Sequence, residues 1–143
     1  MNTPQSQLIL WPAFAMAALV FAVWWRMFFE RIGQIRRGRI RLREIALSAQ
    51  ISQRLADTRA ADNFRNLFEL PVLFYAALLI AYVTGTAGTP LLVLAWTFVA
   101  LRVAHSAIQC SYNRVEHRFY VYVAGGLVMW ALWAVLGWQL WTR

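Results

Sequence analysis

Four stretches of this chain are apolar over a length that matches the thickness of a lipid bilayer, and that excludes most folds open to 143 residues. An α-helix rises 1.5 Å per residue, so about twenty mainly apolar residues cover the roughly 30 Å of hydrocarbon. Residues 8 to 29, 67 to 84, 90 to 110 and 119 to 141 meet that requirement. Hydrophobic residues make up 61% of the chain and the mean hydropathy is +0.50, more than one soluble core can hide, so the excess must face lipid. The expected fold is an all-α integral membrane bundle of four transmembrane helices, one domain over residues 1 to 143. No basic residue precedes the first apolar run, which therefore reads as a span and not as a cleavable leader. The run from Thr84 to Pro90 combines glycine turn chemistry with a proline suited to a new helix start, so the second and third spans form an antiparallel hairpin.

Charge sets the orientation. All 14 basic residues are arginine, and the net charge is +8. No arginine precedes Arg26 and none lies in the 84 to 90 turn, whereas residues 30 to 66 carry nine, and Arg114 and Arg118 flank the connection between the last two spans. Short basic loops stay in the cytoplasm, so both arginine-bearing connections are expected there and both termini on the other side. Trp24 and Trp25 fit an inner interface, and Trp11, Trp138 and Trp141 an outer one. The 30 to 66 segment lacks proline and is expected to be largely helical. Its run from Ile35 to Arg43 has no interleaved aromatic platform, which argues against nucleic acid; a topology signal or a surface for anionic head groups accounts for it. Cys110 stands alone in an apolar run and reads as packing. No phosphate loop, dinucleotide fingerprint or zinc spacing occurs, and no metal is expected.

Polar side chains within the spans are more informative, because lipid exposure makes them expensive. At 100° per residue, Arg59, Asp62, Arg65, Asn66 and Glu69 share one face of a helix leading into the second span. Arg102, His105, Gln109, Tyr112 and Asn113 occupy an arc of about 100° on the third. Arg114, Arg118 and Tyr122 repeat every fourth residue at the start of the fourth. Three helices thus offer polar faces at one depth. Taken singly, Glu69 needs no role beyond neutralising Arg65 or Arg102, His105 none beyond an internal hydrogen bond, and Tyr122 none beyond packing. Their convergence is what suggests a site. A small multidrug exporter would also have four spans, but it needs an acid in the first, and residues 8 to 29 contain none.

The run Arg65-Asn66-Leu67-Phe68-Glu69-Leu70-Pro71, followed by Arg102-Val103-Ala104-His105 and by Arg118 thirteen residues after the histidine, resembles the superfamily of membrane-associated proteins in eicosanoid and glutathione metabolism. Microsomal glutathione transferase and prostaglandin E synthase share that order, and the resemblance, to a bacterial-type member, covers essentially the whole chain. It implies a homotrimer in a bacterial inner membrane, with glutathione as co-substrate bound between subunits near the cytoplasmic face. The implied activity is a transferase or peroxidase acting on lipophilic electrophiles that arrive through the bilayer. An alternative is a non-catalytic member that binds a lipid or other anion in the same cleft. By resemblance Arg118 is the catalytic residue that favours the thiolate, while Arg65, Asn66, Glu69, Arg102, His105, Arg114 and Tyr122 contact the co-substrate. Within that set the three other arginines suit carboxylates, Glu69 an ammonium, Asn66 peptide groups, and Tyr122 the thiol or the second substrate. The chain departs from the pattern at Asp62, where an arginine is usual, at Gln109, where a tyrosine is usual, and at Phe119, where the prostaglandin synthase has serine.

Overall fold

The computed structural model of the protein describes residues 7–39 and 57–142. Among them there is no strand. A 3-10 turn at Leu8–Leu10 leads into α1, Trp11–Gly38, and after the undescribed stretch come α2, Arg59–Asn66, α3, Leu70–Val83, α4, Thr89–Cys110, and α5, Val115–Trp141. Four helical segments are long and apolar enough to cross a membrane: Leu8–Gly38, Arg59–Val83, Thr89–Cys110 and Val115–Trp141. The expected spans lie inside them, except that the second was expected to end at Thr84, one residue past Val83. The first is 31 residues long, about 46 Å at 1.5 Å per residue, so α1 projects well beyond the hydrocarbon at its arginine-bearing end. Of the basic run from Ile35, residues 40 to 43 lie outside the described residues, as does Arg54.

Helix boundaries follow local chemistry. α1, α3 and α4 each carry proline in the first turn, at Pro12, Pro71 and Pro90, where a missing N–H costs no intrahelical bond. Gly85 turns the chain between α3 and α4 at a φ of 66°, which a Cβ would oppose. Asn113 takes the left-handed conformation between α4 and α5 at a φ of 49°, as asparagine tolerates.

The second span departs from expectation, because it is interrupted rather than one continuous helix. α2 ends at Asn66, and Leu67 to Glu69 form a tightened turn in which Phe68 N–H donates to the Arg65 carbonyl and Glu69 N–H to that of Asn66. Glu69 is the N-cap of α3, at φ −91° and ψ −99°. Pro71 accounts for the break: its ring clashes with the carbonyl four residues back, and it has no N–H to give. The face proposed for Arg59 through Glu69 therefore does not run through, and Glu69 turns independently of α2.

Apolar packing is layered along the bundle. Met16 and Val23 of α1, Phe74, Ala77, Leu78 and Ala81 of α3, Leu91, Ala95, Phe98 and Val99 of α4, and Met129, Leu132 and Leu136 of α5 form one buried cluster. Phe74 stacks on Phe98 with ring centroids 4.8 Å apart. Outward-facing apolar side chains, among them Phe14, Phe21, Leu79, Val93, Leu127 and Trp130, are exposed, as lipid contact requires. On α4 the buried face changes character along its length, from Leu91, Ala95, Phe98 and Val99 to Arg102, His105, Ser106 and Gln109. α4 packs most extensively on α5. The polar half of this face and the start of α5 stand at the same end of the bundle as α2.

That end is tied together by a latch. The Gln34 side-chain amide pairs with the Asp57 main chain, donating to its carbonyl at 2.8 Å and accepting from its N–H at 2.9 Å. The Asp57 carboxylate accepts from the Arg59 main chain and guanidinium, and Arg59 reaches on to the carbonyl of Ser111. Arg26 pairs with Glu30 at 2.8 Å and donates to the Cys110 carbonyl. Hydrogen bonding from Arg59 holds the Asp57 carboxyl below its ordinary value of 3.8. A depressed carboxyl contributes stability that is present above the ordinary value and lost as pH falls through the lowered one. Hydrogen-exchange protection of residues 57 to 62 should accordingly fall as the pH drops below 3.8. Asp57→Asn should remove that pH dependence while leaving the α3 and α4 amides protected.

Candidate functional site

The arginine-bearing end of the bundle contains a cavity of about 260 Å³ lined by Asn66, Glu69, His105, Val115, Arg118, Phe119 and Tyr122. Four elements build it. Asn66 closes α2, Glu69 caps α3, His105 stands on α4, and the remainder come from the first two turns of α5. The wall is polar on the side of α2, α3 and α4, and partly apolar at Val115 and Phe119.

A buried hydrogen-bond network fixes the polar wall. Gln109 Oε1 accepts from Asn66 Nδ2 at 3.1 Å and lies 3.0 Å from His105 Nε2. A carboxamide oxygen only accepts, so His105 carries its proton on Nε2 in this arrangement. One helical turn away, Ser106 Oγ donates to Asn63 Oδ1 at 3.2 Å, and Asn63 Nδ2 reaches Cys110 Sγ at 3.4 Å. Asn63, His105, Ser106 and Gln109 are all buried. The pairs pin α2 flat against α4, and the position of Glu69 follows, since only a three-residue turn separates it from Asn66.

On the opposite wall, Arg118 donates to Asn113 Oδ1 at 3.0 Å, so the left-handed residue that turns the chain also holds the guanidinium. The Tyr122 ring lies 5.9 Å from that of His105. Arg102 is 2% exposed, with its guanidinium carbon 5.2 Å from the Phe98 ring centroid and 5.3 Å from that of Tyr122. None of its three side-chain nitrogens has a hydrogen-bond partner among the described residues. Two aromatic faces balance part of that charge. Glu69 is the acid within electrostatic reach of it.

Five of the eight residues expected at the site thus surround one cavity: Asn66, Glu69, His105, Arg118 and Tyr122. Arg102 stands against Tyr122 and does not line the space. Arg65 does not line the cavity, is exposed, and approaches Asp62 at 4.0 Å, so it pairs with the residue one turn before it and not with Glu69. Arg114 is the exposed N-cap of α5 and does not reach the cavity. On α4 the stripe ends at Gln109; Tyr112 and Asn113 lie in the turn beyond Cys110, where Tyr112 bonds to His117 at 3.2 Å. Sequence reasoning missed Asn63 and Ser106, although Asn63 precedes Asn66 by one turn and Ser106 adjoins His105. It also passed over Val115 as a wall residue, since an apolar side chain next to a loop gives no signal.

With four bilayer-length helices, no strand among the described residues and a cavity where the helix ends meet, the chain is a multi-pass integral membrane protein. Within that class, the chain belongs to the MAPEG family, whose profile matches residues 9–138. No match was found among curated proteins or among solved structures.

Because Gln109 supplies the acceptor for two neighbours, Gln109→Leu should leave His105 Nε2 buried without a partner and deprive the half-buried Asn66 Nδ2 of its acceptor. The expected loss is about 1–3 kcal/mol of unfolding free energy in detergent. Adding Asn66→Leu should recover part of it, because one of the orphaned donors is then gone; denaturant titration of the three proteins checks both outcomes.

Proposed function

We propose that this cavity is the glutathione-contacting part of a membrane transferase or peroxidase that acts on lipophilic electrophiles. The observation that carries the proposal is the convergence of Asn66, Glu69, His105, Arg118 and Tyr122 on one cavity in a chain of this family. The donor set fits the ligand's chemistry. Glu69 is a carboxylate without an ion-pair partner among the described residues and suits an ammonium; Arg118 is a guanidinium suited to an anionic sulfur or carboxylate; Asn66 offers an amide to peptide groups. The bound tripeptide would supply the nucleophilic thiol.

The chain's own residues would then do three things. Arg118, steadied by Asn113, places positive charge where a thiol must ionise, and a thiol of pKa about 8.5 is mostly protonated at neutral pH without such a charge. Glu69 orients the ligand by its amine. Val115 and Phe119 give the cavity an apolar flank through which a lipid-soluble partner enters from the bilayer. A cavity of about 260 Å³ is small beside the roughly 300–1,000 Å³ of complete ligand sites. That supports a site completed by a neighbouring copy in a homotrimer. The excess of basic residues at this end favours the cytoplasmic side of a bacterial inner membrane, with both termini opposite.

One observation favours a second reading. Arg118, a half-buried guanidinium at the cavity, also suits a protein that holds a lipid phosphate or another anion there and performs no conjugation. Titration calorimetry in detergent separates the two. Saturable glutathione binding at millimolar ligand is expected, together with conjugation of a reactive aryl halide. Arg118→Ala should lower the conjugation rate on the order of 100-fold, as does loss of a preorganised donor elsewhere. Absence of saturable binding would remove the glutathione reading, and a copurified anionic lipid without conjugation would favour the second.

A further inference from the structure

Arg102 is the least explained charge in the molecule. It is 2% exposed, well inside a membrane-spanning helix, with all three nitrogens unpartnered among the described residues and its guanidinium over the rings of both Phe98 and Tyr122. If it gripped a ligand directly it would line the cavity, and it does not. What it touches is the ring face of Tyr122, which does line it. The Tyr122 phenol is half-buried and forms no hydrogen bond with any described residue, so its O–H is free to donate to whatever occupies the cavity.

We propose that Arg102 is a positioning residue acting through Tyr122: the buried cation holds the ring in place and withdraws electron density from it, so that the phenol O–H becomes a stronger donor to an anionic sulfur or oxygen in the cavity. A cation within about 6 Å of a ring centroid interacts with the whole π-system, and desolvation strengthens the effect. Other charged or titratable groups face the same ring. His105 approaches from α4, Arg118 precedes Tyr122 by one turn on α5, and Glu69 caps α3. Among the described residues Arg102 is the cation that lies over the ring face, and it also lies over the ring of Phe98. The proton stays on Tyr122 throughout, and no bond is made or broken.

The role of the ligand rests on the function proposed above, and the test keeps the two apart. Glutathione affinity is measured by calorimetry for the wild type, Arg102→Met, Tyr122→Phe and the double variant, with Arg102→Lys as a charge-retaining control. Tyr122→Phe should weaken binding on the order of ten- to a hundredfold, the range for a hydrogen bond to a charged group. Arg102→Met should weaken it severalfold. The double variant should lie within about twofold of Tyr122→Phe alone, because the arginine then has no phenol to act through. A double variant weakened by the product of the single effects would overturn the proposal, since Arg102 would then reach the ligand directly or through Glu69. Fluorotyrosine incorporated at position 122 gives a readout that needs no ligand. In the ligand-free protein its fluorine resonance should move in Arg102→Met and stay close to wild type in Arg102→Lys. An unmoved resonance in Arg102→Met would also overturn the proposal, whether or not glutathione binds. If the wild type fails to bind glutathione, the proposed activity falls, and the fluorine measurement alone decides the coupling of Arg102 to Tyr122.

Discussion

Inside a bilayer no water is at hand to satisfy a polar group, so every such group on a spanning helix must find protein or line a wet space. Gln109 meets that demand for two neighbours at once by accepting from Asn66 and His105, and Ser106 and Asn63 meet it for each other one turn away. These contacts do more than remove a penalty. They dock a short helix whose apolar content could not hold it in place, and the docked helix carries one wall of the cavity. Without them α2 would have little reason to lie where Asn66 faces His105.

The break at Leu67 to Glu69 has a related consequence. A continuous helix would have carried Glu69 round with Arg65 and Asn66, and its carboxylate would have met Arg65 one turn away. Pro71 prevents that, and the acid becomes the cap of a new helix, free of Arg65, which pairs with Asp62 instead. The proline thus separates an acid and a base that α-helical spacing would have paired, leaving the acid open to the cavity. Asn113 does comparable service at the other wall, where its left-handed backbone turns the chain and its side chain holds Arg118.

Most of the architecture could be read from the chain. The apolar runs, the turn at 84 to 90 and the one-sided arginines all arise from local composition, and the family profile covers the same region. Much of the polar stripe on α4 was legible because Arg102, His105 and Gln109 repeat at helical spacing and stay buried. Legibility failed where a residue's role depends on a boundary. Tyr112 and Asn113 continue the stripe only if the helix continues, and it stops at Cys110. Arg114 shares a face with Arg118 by spacing, yet it is the exposed N-cap of α5 and stays outside the cavity.

Sequence alone determined that the chain spans a membrane four times and that the second, third and fourth spans carry polar faces toward one end, because bilayer thickness and helical periodicity are properties of single segments. Only the tertiary structure decided which of those groups meet. It left Arg65 and Arg114 outside the cavity, set Glu69 at its rim, and placed Arg102 against an aromatic ring. Those outcomes depend on where helices end and how they pack against one another, and neither is encoded in any one segment's hydrophobic pattern.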